Sequence, residues 1–175
     1  LLGHSWGTSL AALYALRNPV GLEGIIFVSP LFSTKRWIED TDRLRKLLPA
    51  DTQKVLTDNE MAGTTNSKEY GDASDIFNKN FVRRVEKTDS FKRADNGFGE
   101  TVYETMWGPS EFHCIGNLQD FDILDKLFDI NIPVFLICGR YDEATPWSLL
   151  FYKTLFRNAQ TKIFENSSHS SFLED

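Results

Sequence analysis

The most informative stretch of this chain is Gly3-His4-Ser5-Trp6-Gly7. It has the pattern G-x-S-x-G, in which a strand turns sharply into a helix and holds the serine hydroxyl out at the tip of the turn. The serine of such a turn has a strained backbone, and a side chain at either flanking position would crowd it. We therefore expect both glycines to be required by packing. The alternative is a glycine-bounded turn in which the serine only caps a helix.

The residues around this turn favour the strand-to-helix interpretation. Leu1 and Leu2 form a short apolar pair before it, and the apolar run Ala11–Leu16 follows and ends at Asn18-Pro19. Because the run is apolar on nearly every side, we expect a buried helix. A turn of this kind normally follows several strands of its sheet. We therefore also expect that the N-terminal part of the sheet lies outside this sequence.

Composition and charge restrict the possible partners. The chain has 175 residues, of which 41% are hydrophobic, and 19 basic against 25 acidic residues give a net charge of −6. This charge argues against nucleic acid and anionic membranes as partners. These values are ordinary for a soluble globular protein, and we expect a cytoplasmic location.

The cysteines and histidines predict neither disulfides nor metal binding. Two cysteines, Cys114 and Cys138, are too few for a disulfide framework. Cys138 lies in an apolar run, so we expect a buried and inert thiol. No cluster of histidine, cysteine and carboxylate residues has the spacing of metal ligands, and we expect no cofactor.

Three short apolar runs predict buried parallel strands at Gly24–Val28, Pro133–Cys138 and Thr161–Phe164. Between the last two, Thr145-Pro146 predicts the start of a helix. We expect its apolar side chains to face a core; these are Trp147, Leu150, Phe151, Leu155 and Phe156. The order strand, helix, strand is typical of an α/β fold with a right-handed crossover.

The segment from residue 31 to 122 interrupts this alternation of strands and helices. It is polar and has a helical pattern, with predicted helices at Trp37–Leu48, Asp75–Glu86 and Glu100–Met106 and a loop at Gly63–Ser67. So long a segment between two strands of one sheet is not a simple connection. We therefore predict a helical cap at 31–122 on a core formed by 1–30 and 123–175.

The chemistry of Ser5 requires partners, because a serine hydroxyl is a weak nucleophile that needs a base and an orienting acid. In folds that carry this turn, the base is a histidine that comes last in the chain. His169 follows the third predicted strand and is our candidate. We expect His4 to face away from the site, and His113 falls in the predicted cap.

The acid should follow the preceding strand, at the carboxyl end of the sheet. Asp142 lies there, and we predict that it orients His169; Glu143 is the structural or substrate-contacting alternative. Another interpretation is that Asp142 only helps to start the helix at Thr145. We expect the backbone N–H of Trp6 to be one donor of the oxyanion hole.

With these residues placed, the chain resembles the proline iminopeptidase family of α/β-hydrolases, including its tricorn-interacting type. The resemblance covers essentially the whole chain, although residues before Asn96 in the cap match loosely. It is carried by Gly3–Thr8, by Val102–Phe112 with its G-P-x-E-F core, and by Gly139–Pro146 with its Y-D-E-x-T-P run. The upstream H-G-G-P-G-like loop of the family, with the second oxyanion donor, is not in this sequence.

The resemblance implies a serine aminopeptidase. Members release an N-terminal residue, often proline, from short peptides or amides through an acyl-enzyme. They hold the free ammonium group of the substrate with acidic residues, which by motif position are Glu111 and Glu143 here. The alternatives are a hydrogen bond between cap and core for Glu111 and simple surface exposure for Glu143.

Two other functions remain open at this point. One is an esterase or amidase with the same triad and a different pocket, and the other is a non-catalytic remnant or assembly module. Dehalogenases and many epoxide hydrolases use an aspartate nucleophile, so Ser5 argues against them. If the edge of the sheet is exposed, we also expect self-association there.

Overall fold

A parallel sheet of four strands forms the centre of the chain, which the computed structural model describes from residue 1 to 175. The strands are β1 (Leu2–His4), β2 (Ile25–Val28), β3 (Val134–Gly139) and β4 (Ala159–Phe164), and they lie side by side in chain order. Phe27 lies opposite Gly3 on one side and opposite Leu136 on the other. All three strand pairs are parallel, so the carboxyl ends of the strands meet at one edge.

Helices flank the sheet and fill the long segment between β2 and β3. They are α1 (Trp6–Ala15), α2 (Thr34–Arg45), α3 (Ala50–Ala62), α4 (Lys68–Phe81), α5 (Asp89–Asn96), α6 (Glu100–Met106), α7 (Pro146–Leu155) and α8 (Ser171–Glu174), with a 3-10 helix at Leu124–Asp129. The α/β class, the parallel sheet and the three predicted strands are confirmed. The sequence did not predict α3 and α5. The helix predicted at Asp75–Glu86 is wrong at both ends, since α4 begins earlier and ends at Phe81.

Helix α1 is buried on one face only, so the expectation of a helix buried all round is wrong. Ala12 and Ala15 pack into the core, whereas Leu10 and Tyr14 are 54% and 50% exposed. Small residues therefore form the packed face, and the large apolar residues point away from the sheet.

The prediction for helix α7 is right for Leu155 and Phe156, which pack in or against the core, and wrong for the other three residues. The buried residues of the helix are Ser148, Leu149 and Tyr152, whereas Trp147 is 72% exposed and Leu150 and Phe151 are also exposed. Both faces of the helix are apolar, so periodicity did not distinguish them. The buried face was obscured in the sequence because it includes a serine.

Three hydrophobic clusters stabilise the sheet with its flanking helices and the helical segment between β2 and β3. The largest packs the sheet against α1, α7 and the 3-10 helix, and includes Phe27 and Leu136. A second lies among the helices between β2 and β3, around Leu56 and Phe77. A third comprises Leu31, Trp37, Trp107 and Ala144, and it joins the segment between β2 and β3 to the loop that follows β3.

Cys138 is fully buried, as predicted, and burial raises the pKa of its thiol. None of the helices has both the length and the apolar character needed to cross a bilayer.

Candidate active site

The turn at Ser5 has the strained geometry that its sequence predicts. The φ and ψ angles of Ser5 are 52° and −128°, and its N–H donates to the Val28 carbonyl at 3.0 Å. A Cβ at Gly3 would lie 2.5 Å from the Gly7 carbonyl oxygen, so this position requires glycine. A Cβ at Gly7 would meet no atom within 4 Å. The expectation that packing requires both glycines is therefore wrong for Gly7.

Trp6 is the first residue of α1. Its backbone N–H belongs to the first turn, where no helical carbonyl is available as an acceptor. The N–H is thus available to an oxyanion that forms at Ser5, which is the geometry the predicted role requires. Ser5 and Trp6 line the same cavity.

Asp142 and His169 meet at the carboxyl ends of β3 and β4. The His169 Nδ1 lies 2.8 Å from the Asp142 Oδ1. Because a carboxylate oxygen accepts, Nδ1 carries the proton and Nε2 keeps its lone pair. The loop that carries His169 can pack against the end of β3 only because residue 139 is glycine. A Cβ there would lie 2.2 Å from the Ser167 carbonyl oxygen.

Asp142 is fully buried and both of its oxygens accept hydrogen bonds. The Ala144 N–H donates to Oδ1 at 2.8 Å, while the Ser29 hydroxyl and the Gly139 N–H donate to Oδ2 at 2.5 and 3.4 Å. These donors fix the orientation of the carboxylate that faces His169. Sequence reasoning did not single out Ser29.

The charge of Asp142 governs the protonation of His169. Burial alone would lower the pKa of the imidazole, but the charge and hydrogen bond of Asp142 raise it above its ordinary value, as do the charges of Glu111 and Glu174. A histidine held in this way is a stronger base than a free one, and its protonated form is stabilised by Asp142.

Of the other two histidines, only His4 lies beside the candidate base. His113 is in the segment between β2 and β3, opposite Ser110 in an isolated bridge. His4 lies beside the base: its ring centroid is 4.8 Å from that of His169, and its Nε2 lies 2.9 Å from the His169 carbonyl oxygen. The expectation that His4 faces away from the site is therefore wrong. The Ser5 hydroxyl forms no hydrogen bond with the His169 ring in this structure, and the Nδ1 of that ring is hydrogen-bonded to Asp142.

A buried acidic group lies next to these residues. Glu143 is fully buried, and its Oε1 lies 3.9 Å from the His169 Nδ1. Neither of its carboxylate oxygens has a hydrogen-bond partner within the chain. Burial raises the pKa of Glu143 well above its ordinary value, and the charges of Glu111 and Asp142 raise it further. The alternative of surface exposure for Glu143 is wrong.

Glu111 lies close enough to Glu143 and His169 to affect the ionisation of both. Burial raises the pKa of the Glu111 carboxyl, while the charge of His169 and the Tyr103 hydroxyl act in the opposite direction. Its backbone carbonyl accepts from the Trp37 indole at 2.9 Å. The link to α2 therefore uses the main chain of Glu111 and leaves its carboxylate available.

A cavity of about 370 Å³ is lined by both Ser5 and Glu111. Its walls are mostly apolar and aromatic, and its only carboxylate is that of Glu111. The lining residues are Ser5, Trp6, Leu31, Trp37, Phe98, Gly99, Val102, Tyr103, Met106, Trp107, Glu111 and Leu118. No group of three or more histidine, cysteine and carboxylate side chains is arranged to hold a metal ion.

The end of α4 contacts the candidate base directly. The Phe81 carbonyl accepts from the N–H of Glu143 at 3.3 Å and from the N–H of His169 at 3.2 Å. The Val82 carbonyl accepts from the N–H of Ser170 at 3.1 Å. The segment between β2 and β3 is thus joined by backbone bonds to the two loops that carry the candidate chemistry.

The fold and the geometry of this site define the class of protein to which the chain belongs. The whole chain, residues 1–175, matches the family described as alpha/beta hydrolase fold. The chain therefore belongs to the α/β-hydrolase fold family.

Within that family the chain is similar to proline iminopeptidases. The proline iminopeptidase of Heyndrickxia coagulans is 41% identical over 177 residues, which cover 100% of this chain and 62% of that protein. The proline iminopeptidase of Saccharolobus solfataricus is 35% identical, with 100% of this chain and 57% of that protein covered. The chain thus spans about three fifths of the length of these relatives.

Two solved structures match nearly the whole chain, and one of them is a proline iminopeptidase. The crystal structure of VinJ has a TM-score of 0.93 and 39% identity, and the match covers 99% of this chain and 60% of that chain. The proline iminopeptidase of Mycobacterium smegmatis has a TM-score of 0.87 and 36% identity, with 98% and 58% covered. The resemblance inferred from the motifs is confirmed; the catalytic and binding roles of single residues stay predictions.

Proposed function

We propose that this chain carries the triad and the ammonium-binding site of a serine aminopeptidase of the proline iminopeptidase type. Its substrates are short peptides or amino-acid amides with a free N-terminus, with proline preferred. Ser5 is the nucleophile, His169 the base and Asp142 the orienting acid, and Glu111 and Glu143 bind the ammonium group. The names of the relatives support this function, and the site supports it independently.

The observation that carries the proposal is the unpaired carboxylate of Glu143. A buried carboxylate without hydrogen bonds is costly, and a protein retains one where a ligand supplies the missing donors. Both Glu143 oxygens lack a hydrogen-bond partner within the chain, and Glu111 lies close enough to raise the pKa of Glu143. A substrate ammonium would bring a positive charge and N–H donors to these two carboxylates.

The acylation step follows from the placement of the triad. The Ser5 oxygen attacks the carbonyl carbon of the N-terminal residue while its proton passes to the His169 Nε2. Asp142 stabilises the imidazolium, and the Trp6 N–H donates to the oxyanion. The imidazolium then protonates the leaving amine as the C–N bond breaks.

The second half of the reaction repeats this path with water. His169 takes a proton from a water molecule that attacks the acyl-enzyme, and returns it to the Ser5 oxygen as the ester breaks. The products are a free amino acid and the shortened peptide or amine.

The cavity supports the preference for proline. A pyrrolidine ring is apolar, and aromatic side chains such as Trp37 and Trp107 form the walls beside Ser5. The secondary ammonium of proline still offers two N–H donors to the acidic group.

The test compares substrates that differ only in charge at the N-terminus. The protein carrying this sequence is assayed on prolyl-naphthylamide and on its N-acetyl derivative, and a fluorophosphonate probe reports whether Ser5 is reactive. We expect labelling of Ser5 and hydrolysis of the free amine only. Equal hydrolysis of both substrates would indicate an esterase or amidase, and no labelling would indicate a non-catalytic module.

A further inference from the structure

The backbone carbonyl of His169 lies between two side chains that the proposed mechanism does not use. The His4 Nε2 lies 2.9 Å from this oxygen, and the Ser29 Oγ lies 3.2 Å from it. The same Ser29 hydroxyl donates to the Asp142 Oδ2 at 2.5 Å. His4 therefore contacts the candidate base, and Ser29 contacts the candidate acid and lies near the main chain of the candidate base.

The sheet brings these two side chains together. His4 ends β1 and lies opposite Val28, the last residue of β2, and Ser29 follows directly. The Ser29 N–H donates to the Ile137 carbonyl at 2.7 Å, which fixes its backbone against β3. The two side chains thus stand at the carboxyl ends of neighbouring strands, where the triad is assembled.

Ser29 occupies an unusual backbone position for a residue with a side chain. Its φ angle is 52°, in the left-handed region that favours glycine, and the residue is fully buried. Retaining a strained serine where glycine would fit indicates that the hydroxyl itself is needed.

His4 is held as a neutral donor. A carbonyl oxygen can only accept, so the His4 Nε2 carries the proton of this bond. Its ring also packs edge-on against Phe172, with centroids 5.0 Å apart. Burial, with the charge of His169, lowers the pKa of His4 to about 4, so the ring adds no positive charge beside the base at neutral pH.

We propose that His4 and Ser29 are positioning residues: His4 fixes the main chain of His169 through its carbonyl, and Ser29, whose single proton goes to Asp142, fixes the carboxylate that orients His169. Neither touches the substrate. Their effect is to keep the His169 Nε2 aimed at the nucleophile, and this inference rests on the proposed triad.

Two pairs of variants in the protein carrying this sequence test the proposal. His4→Phe keeps a ring but removes the donor, whereas His4→Gln places an amide N–H near the position of the His4 Nε2. Ser29→Ala removes the hydroxyl and keeps the Cβ, whereas Ser29→Gly removes the hydroxyl and relieves the backbone strain.

The readout is the rate at which a fluorophosphonate labels Ser5, together with kcat and KM on prolyl-naphthylamide. We expect His4→Phe to slow labelling and kcat by roughly 3- to 10-fold and His4→Gln to restore most of the rate. We expect both Ser29 variants to slow them by roughly 10- to 100-fold, since this bond is to a charged group. KM should change by less than about 3-fold, because the substrate pocket is untouched.

Several results would overturn the proposal. They are equal rates for His4→Phe and the unmodified protein, a loss in His4→Gln as large as in His4→Phe, or full activity in Ser29→Gly. If the Ser29 variants do not fold, the His4 pair decides. Labelling of the unmodified protein without cleavage of prolyl-naphthylamide would disprove the aminopeptidase function alone, and the labelling rates of the variants would still test the positioning roles.

Discussion

The Thr145 hydroxyl donates a hydrogen bond of 2.7 Å to the Asp40 Oδ2, and this contact joins helix α2 to the start of helix α7. Ser148 and Arg43 also donate to Asp40, which is only 1% exposed. Thr145 caps α7 directly after the loop that carries Asp142 and Glu143. The helices between β2 and β3 are therefore held to the core by a buried carboxylate as well as by apolar packing.

This contact predicts a loss of stability in Asp40→Ala. The substitution leaves the buried hydroxyl of Ser148 and the half-buried hydroxyl of Thr145 without their acceptor, so we expect a loss of about 2 to 4 kcal/mol in the free energy of unfolding. Chemical denaturation measures it. Glu39→Ala is the matched control, since Glu39 is an exposed neighbour on the same helix and should change little. An equal change in the two variants would contradict a role for the buried contact.

The triad predicts non-additive losses. Ser5→Ala and His169→Ala should each lower kcat on the order of 10⁴-fold or more, and the double variant should lose little beyond either single one. Asp142→Asn should lose somewhat less, because the imidazole can still titrate but is held in a poor tautomer. Steady-state kinetics on prolyl-naphthylamide measure these losses. If the single losses multiply in the double variant, the residues do not act as one unit.

The role of Glu111 predicts a loss that depends on the substrate. Glu111→Gln should weaken transition-state binding of a free prolyl amide by roughly 2 to 5 kcal/mol, since a carboxylate that pairs with a buried ammonium is lost. A small acetyl ester has no cation, so its kcat/KM should hardly change. Comparable losses on both substrates would mean that Glu111 supports the structure and does not bind the substrate.

The same substitution predicts a shift in the pH profile. His169 must be neutral to act as a base, so activity falls as the pH drops through its pKa, which lies above the ordinary value of 6.5. Asp142, Glu111 and Glu174 are the charges that raise it. Removing one of them in Glu111→Gln should lower the pKa and move the acidic limb of kcat/KM to lower pH. The acetyl ester is the substrate for this measurement, and an unmoved limb would contradict the assignment.

Much of the fold could be predicted because its signals are local. The strands are apolar runs that end in polar loops, and the chain order of Ser5, Asp142 and His169 is enough to propose a triad. Helices α3 and α5 were missed because their sequences are mostly polar, and they bury few residues or none. Propensity alone did not distinguish them from loops.

The rest of the site depends on contacts between distant residues. Nothing local marks Ser29 as the donor to Asp142, since these residues are brought together only when β2 pairs with β3. His4 was misjudged because its neighbour in sequence, Ser5, faces the cavity, while its own ring packs on a loop from the end of the chain. The unpaired state of Glu143 is likewise a property of the packed structure.

The exposed apolar surface of β1 and α1 predicts self-association of the 175-residue chain when it is expressed by itself. Strand β1 pairs only with β2, and Leu2 and Leu10 are 61% and 54% exposed. A free strand edge beside apolar side chains is a template for a second copy. We expect size-exclusion chromatography with light scattering to give dimers or larger species. Leu10→Lys combined with Leu13→Lys should increase the monomer fraction, whereas Leu47→Lys, which changes an exposed leucine after α2, should not. A monomer at all concentrations, or an equal effect of Leu47→Lys, would contradict association through this surface.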